Sequence, residues 1–278
     1  MSDSSLVSKV AAITGGAGDI GSAMILGLAN AGVKTAILDL DGEKAQELAA
    51  RVEAETGIET IGLQCDVLST ESIVAADEAI ASRLGSLSFL VNCAGGNSPA
   101  ATTDAERLSA DLSNLEESFF GIDVDGFRQA MDLNLLGTVL PCSILGKRLV
   151  ENKEGSIVNI SSMNAFRPLS RIPAYSAAKS AVSNFTQWLA VHIAPSKVRV
   201  NAIAPGFFLT EQLKYLAFEE NGELTPRYRR VLANTPMERF GEPEELVGTL
   251  LYFLSNGSRF VTGTVIPVDG GFNAYSGV

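Results

Sequence analysis

The sequence predicts a single-domain α/β protein built on a doubly wound parallel sheet. Three observations predict it. Short β-rich apolar runs alternate with helical patterns almost end to end. The runs are continuously apolar, as strands buried on both faces require. And 46% of the 278 residues are hydrophobic, ample for a large core. Strands alternating with helices imply right-handed crossovers, and in such sheets ligands sit outside the strand C-termini. Length alone allows about two domains. The unbroken alternation favours one, spanning 1–278.

Val10–Thr14 is the first strand, and Gly15–Gly21 is the turn after it. Ser22–Ala31 reads as a helix stopped by Gly32, Lys34–Asp39 as the second strand, and Glu43–Glu55 as the next helix. Thr60–Cys65 and Phe89–Asn92 follow as strands with a helix between them. Ser156–Ile160, Val198–Ile203 and Val265–Val268 complete the set. Two stretches break the rhythm: a polar insertion at about 96–123 and an aromatic, charged segment at about 207–236. Segments this long in a compact domain are functional lids or disordered insertions. The second is read as a substrate loop.

Composition narrows the function. The formal net charge of −11 opposes nucleic-acid binding, which needs a basic surface, and docking on an anionic membrane. Cys65, Cys93 and Cys142 form no C-x-x-C pair, so a disulfide framework is not expected. Met1–Lys9 lacks the basic and apolar regions of a secretory signal, and no run approaches the ~18 consecutive apolar residues of a membrane span. A cytoplasmic location is the expectation. No cluster of ligands suggests a metal.

Thr14-Gly15-Gly16-Ala17-Gly18-Asp19-Ile20-Gly21 follows the first strand and opens a helix. Glycines there allow a tight turn and close approach of pyrophosphate to Gly15, Gly18, Asp19 and Ile20, with the helix N-terminus supplying free N–H groups. The domain is therefore expected to be Rossmann-type. Asp39 ends the second strand, where its carboxylate would accept the adenosine ribose hydroxyls and repel a 2′-phosphate. With no Arg or Lys at 38–42, the cofactor expected is NAD(H). Asp66 and Val67 close the third strand beside an adenine site. Asn92, Ala94 and Gly95 fall at the end of the fourth, where small residues let a cofactor pass.

Tyr175 and Lys179 are four apart and share a helix face. A neighbouring ammonium favours the phenolate, so Tyr175 is expected to have a lowered pKa and to exchange a proton with substrate. Ser162 stands thirteen residues before Tyr175. This arrangement resembles the short-chain dehydrogenase/reductase family. The resemblance spans roughly residues 8–272 and implies that Ser162 holds the substrate oxygen. It also implies that Asn134 supports a water-linked proton path to Lys179. Pro205, Gly206, Phe208 and Thr210 would flank the nicotinamide together with Tyr175 and Lys179. Thr262-Gly263 and Val268-Asp269-Gly270-Gly271 resemble the family's C-terminal signature. A homotetramer is implied as well.

Two features depart from the pattern. The usual turn reads TGxxxGxG, and Asp19 takes its middle glycine position. A carboxylate near pyrophosphate is unfavourable unless it points outward or caps the helix. The insertion is the second departure, and it narrows the resemblance. Gly95-Gly96-Asn97-Ser98-Pro99, Ser161 through Leu169, Ala204 through Gln212 and the ending Ala274 through Val278 are similar to the D-mannonate oxidoreductase (fructuronate reductase) branch. A sugar acid carries a carboxylate beside a polyol. Arg167 and Arg171 are candidates to grip the carboxylate; Asn97, Asn164 and Thr102 are candidates for the polyol. Both arginines are equally readable as solvated or paired. His192, the only histidine, is expected to pack in the core or at a helix end. The alternatives are another sugar-acid or polyol dehydrogenase of gluconate 5-dehydrogenase type, a 3-oxoacyl reductase, or a non-catalytic NAD-binding sensor.

Overall fold

The computed structural model describes residues 4–277. Met1 of the amino-terminal stretch and Val278 of the C-terminal motif lie outside the described residues. Seven parallel strands form one sheet in the order β3-β2-β1-β4-β5-β6-β7. They are β1 (Val10–Thr14), β2 (Lys34–Asp39), β3 (Thr60–Gln64), β4 (Phe89–Asn92), β5 (Gly155–Ile160), β6 (Val198–Pro205) and β7 (Val265–Val268). β1 pairs with β2 on one side and β4 on the other, so the chain reverses its winding there and opens a crevice at the strand C-termini.

The helices are α1 (Asp19–Asn30), α2 (Gly42–Thr56), α3 (Thr70–Arg83), α4 (Val124–Met131), α5 (Gly137–Asn152), α6 (Pro173–Ile193), α7 (Glu211–Ala217), α8 (Pro226–Ala233) and α9 (Val247–Leu254). Alternate residues of β1 feed two cores. Ala11 and Ile13 pack with residues of α1, α2 and α9 on one face. Val10 and Ala12 pack with α3, α5 and α6 on the other. Fully burying each Ile or Leu of these layers contributes about 1.5–3 kcal/mol. The run from Val124 to Asn152 is long and apolar enough to cross a membrane by length and composition. Here it is a core element: Leu145 and Leu149 are buried in the layer beneath β4 and β5.

Several boundaries differ from expectation: β5 begins one residue earlier, at Gly155, β6 runs on to Pro205, and α2 is longer by one residue at each end. α1 begins at Asp19, not Ser22, because Gly18 is its N-cap and the Asp19 carboxylate suits the positive end of the helix. β3 ends at Gln64, so Asp66 and Val67 follow the strand rather than close it. The 207–236 stretch is largely helical, carrying α7 and α8. The 96–123 stretch holds two single 3₁₀ turns, Pro99–Ala101 and Phe119–Gly121, and ends where Asp123 caps α4 through the amides of Asp125 and Gly126. His192 lies near the end of α6, exposed and stacked on Trp188 at 4.8 Å. It packs at a helix end and not in the core. The three cysteines are free.

Candidate active site

The turn after β1 is held from three directions. Gly15 has φ +60°, and a Cβ there would stand 2.7 Å from the Ala94 Cα, so only glycine fits between β1 and β4. The Ala17 amide donates to Asp39 Oδ2 at 2.9 Å. The Thr14 hydroxyl accepts from the amides of Cys93 and Ala94 at 3.1 and 3.2 Å. α1 then begins without a side-chain cap, leaving its first N–H groups for an anion. Ile20 packs beneath against the core. Asp39 therefore does more than the sequence suggested: besides standing at the end of β2, it braces the phosphate turn. Its other oxygen accepts from the Asp41 amide at 3.2 Å. This set fits a dinucleotide, with an acidic partner for ribose and bare amides for pyrophosphate.

Asp19 turns out of the crevice. Its Oδ2 accepts from the Glu211 amide at 2.8 Å, joining the turn to the first residue of α7. The Thr210 hydroxyl caps the same helix through the Leu213 amide. The Asp19 side chain is thus a tie between segments rather than a phosphate contact, and this removes the repulsion that a carboxylate would exert there.

Two residues expected at the cofactor face inward. Asn92 is 1% exposed and donates to Asn159 Oδ1 at 2.8 Å and to Cys142 Sγ, bracing β4 to β5 inside the sheet. Phe208 is buried in the core, its ring against Gly241. Residue alternation along an extended backbone sends each of these side chains away from the crevice. Asp66 binds its own loop through the Leu68 amide, and Val67 is buried near Gly137. Pro205 ends β6, and the Gly206 amide donates to the Val268 carbonyl at 2.9 Å.

The chemistry gathers at the ends of β4 and β5 and the start of α6. The Lys179 ammonium lies 5.6 Å from the Tyr175 ring centre and donates to the Ile160 carbonyl at 2.8 Å. Burial lowers its pKa to about 8. The Tyr175 hydroxyl has its pKa raised by burial, against an opposing hydrogen bond from Ser162 and with a further upward push from Cys93. This corrects the expectation of a lowered phenol: the stabilising partner here is Ser162, and Lys179 is turned to a carbonyl. Burial pushes the Cys93 thiol up to about 11, so it is neutral beside Lys179. A protonated Tyr175 across neutral pH gives a sign to the pH dependence. Ketone reduction should hold level there, whereas alcohol oxidation should climb as pH rises and the phenol ionises. Initial rates in both directions over a pH series measure this.

Asn134 sits in a π-helical turn, Asp132–Leu136, between α4 and α5. Its side chain clamps the backbone on both sides of the Gly96 Cα, accepting from the Gly96 amide at 3.1 Å and donating to the Gly96 carbonyl at 2.7 Å. A third bond runs to the Ala130 carbonyl. Gly95 lies so close that a Cβ would meet Asn134 Oδ1 at 2.7 Å and Lys179 Nζ at 3.1 Å.

Four buried side-chain oxygens lack partners among the described residues, those of Asn92, Asn97, Asn164 and Ser176, and two of them belong to the residues expected at the polyol, Asn97 and Asn164. Asn164 is 5% exposed, and its amide donates to Ser162 Oγ at 3.2 Å; Asn97 donates its Nδ2 to Thr102 at 2.7 Å. Buried acceptors are rarely left empty. Each is free to accept a hydrogen bond.

The arginines are tied to backbone. Arg167 is exposed and donates Nε to the Asn273 carbonyl at 3.0 Å. Arg171 donates Nε to the Thr103 carbonyl at 2.7 Å, while the Thr103 amide returns a bond to the Arg171 carbonyl. That reciprocal pair fastens the insertion to the segment leading into α6. Sequence reasoning missed a second charge group. Glu106 of the insertion pairs with Arg227 at 2.8 Å and Arg230 at 2.6 Å, both on α8. Its only signal was a basic run, Arg227, Arg229 and Arg230, more than a hundred residues from its partner.

A nucleotide-type crevice with a Ser–Tyr–Lys group able to exchange a proton is the arrangement of an oxidoreductase. Residues 15–273 match the family model described as enoyl-(acyl carrier protein) reductase, and the chain belongs to the short-chain dehydrogenase/reductase family. An uncharacterized oxidoreductase of Bacillus subtilis, UxuB, is 45% identical over 274 residues, covering 98% of each chain. The D-threitol dehydrogenase of Mycolicibacterium smegmatis is 33% identical over 97% of this chain and 95% of its own length. Among solved structures, a Haemophilus influenzae protein provisionally assigned as a D-mannonate oxidoreductase, crystallised with bound NAD, is 44% identical. It superposes with a TM-score of 0.93 over 98% of both chains.

Proposed function

We propose that this oxidoreductase interconverts a ketone and a secondary alcohol on a sugar acid, D-fructuronate and D-mannonate, with NAD(H). The carrying observation is the pair of buried, unpartnered amide oxygens, Asn164 beside Ser162 and Asn97 on the segment that follows β4. They accept hydroxyl hydrogens along a polyol chain. The similarity to the Haemophilus protein supports the acid, and the similarity to the threitol enzyme supports a neutral polyol as the second reading.

NAD is the cofactor; when bound it takes up or gives the hydride. Gly15, Gly18, Ala94, Gly95, Pro205 and Gly206 supply close backbone around it, and Asp39 takes the ribose. In reduction, Ser162 steadies the substrate oxygen and Tyr175 delivers its proton there. Lys179 and Asn134 keep the proton store behind Tyr175. The 96–123 and 207–236 segments cover the substrate. An initial-rate panel of hexonates, hexuronates and neutral polyols tests the assignment; turnover of neutral polyols only would replace it with the second reading.

The Asp39 carboxylate makes the cofactor preference measurable. A charged hydrogen bond contributes about 1.5–3 kcal/mol, so kcat/KM should favour NAD over NADP by at least about tenfold. Equal or better efficiency with NADP would remove Asp39 from the ribose site.

We also place the protein in the cytoplasm, on its three free cysteines, and as a homotetramer. Two uncovered surfaces support assembly: the α6 stripe of Trp188 and Val191, 57% and 80% exposed, and the fully exposed Phe260 ahead of the edge strand β7.

A further inference from the structure

Three segments that follow the C-terminal ends of β4, β5 and β6 meet, and they are joined by arginines. Arg171 bonds the insertion at Thr103, and its Nη2 is 3.7 Å from Asp104. Arg227 and Arg230 both reach Glu106. The cluster thus holds three guanidiniums against two carboxylates, a local positive excess on a chain of net charge −11.

Arg227 is the best placed of the three. It is the most enclosed, with a side chain 27% exposed against 33% for Arg171 and 64% for Arg230. Its neighbour Tyr228 is buried and packs edge-on against Phe207, the second residue past the end of β6. Its Nη1 donates to Glu106 and, at 3.5 Å, to Ser170 Oγ on the lead-in to α6. The insertion and the lead-in to α6 therefore both hold this one side chain. Its Nε and Nη2 carry no hydrogen bond among the described residues. Those two N–H groups form the parallel edge of a guanidinium that matches a carboxylate bidentately. In Arg167 and Arg171, by contrast, Nε is already bonded to a carbonyl.

We propose that Arg227 is the specificity-determining residue for the acid, receiving the substrate carboxylate on its Nε/Nη2 edge while Glu106 and Ser170 hold Nη1. This rests on the sugar-acid reading. Desolvation is the largest single influence on the Glu106 carboxyl and pushes it up. Its bond to Arg227 and the charges of Arg230, Arg227 and Arg171 outweigh that effect and keep it below the usual carboxylate range. It is therefore ionised and holds the fork at neutral pH.

The test compares wild type with Arg227→Met, Arg227→Lys and Arg230→Met. The readouts are kcat/KM for D-mannonate, kcat/KM for the uncharged D-mannitol, and NADH affinity. Arg227→Met should lose at least about tenfold on D-mannonate, mostly in KM, with NADH affinity kept. Arg227→Lys keeps the charge beside Glu106 but lacks the fork, so its loss should be smaller and still confined to the acid. Arg230→Met should stay within about threefold of wild type on both substrates. Should Arg227→Met unfold at a lower temperature than wild type, the lysine variant decides. An acid-selective loss there sustains the proposal, and none overturns it. Equal losses on acid and polyol, or an unchanged KM for D-mannonate, overturn the role of Arg227 alone. A wild-type enzyme that turns over polyols but no hexonate overturns the sugar-acid reading first.

Discussion

Replacing Tyr175 by phenylalanine is expected to lower kcat by about 10²–10⁴-fold, the range for loss of a positioned acid–base group. The ring stays, and with it the packing at the start of α6. Only the transferable proton goes. Tyr175 is the hydroxyl that Ser162 engages in the buried centre. The nucleotide turn is held separately by Asp39 and Thr14, so NADH affinity should change little. Stopped-flow hydride transfer together with fluorescence titration of NADH separates the two effects. Near-normal turnover would mean that the proton comes from another group.

Gly95→Val should be nearly as damaging without touching a reacting atom. The added side chain would enter the space of Asn134 Oδ1 and Lys179 Nζ. Both are flexible ends, so they yield, but in yielding they leave their places. Lys179 would be driven from the Ile160 carbonyl and Asn134 from Gly96. A misplacement of about 1 Å can cost about 10²-fold in rate, and that is the fall expected in kcat. Thermal unfolding should show only a modest decrease, because the backbone at Gly95 is not in the left-handed region. A variant with wild-type kcat would show that the proton path tolerates displacement.

The sheet was legible because its signal is local. Each strand is an apolar run beside a turn, and six of the seven strand starts follow from pattern alone. Ser162, Tyr175 and Lys179 were legible for a related reason: their spacing is fixed by one strand and one helix. What alternation does within a strand end was harder to see. Asn92 and Phe208 lie beside cofactor-lining positions, yet a single residue of register sends their side chains into the sheet and the core. The raised Tyr175 pKa was also hidden, since it depends on how much water the finished fold excludes. Least legible was the Glu106 cluster. It joins the irregular insertion to α8, a contact that goes with packing around Tyr228 and Phe207, and neither period nor spacing carries that information.

The bond from Asp19 to the Glu211 amide has a consequence for how this chain can vary. One end is a side chain and the other is main chain, so the two positions tolerate change very differently. At position 211 nearly any residue preserves the contact, because every residue except proline offers the same N–H. At position 19 a short acidic acceptor is needed, and the glycine usual in the family would leave α7 untethered. A relative that keeps Asp here and drifts freely at 211 would retain the fastening, whereas one that regains glycine at 19 must secure its substrate segment by some other means.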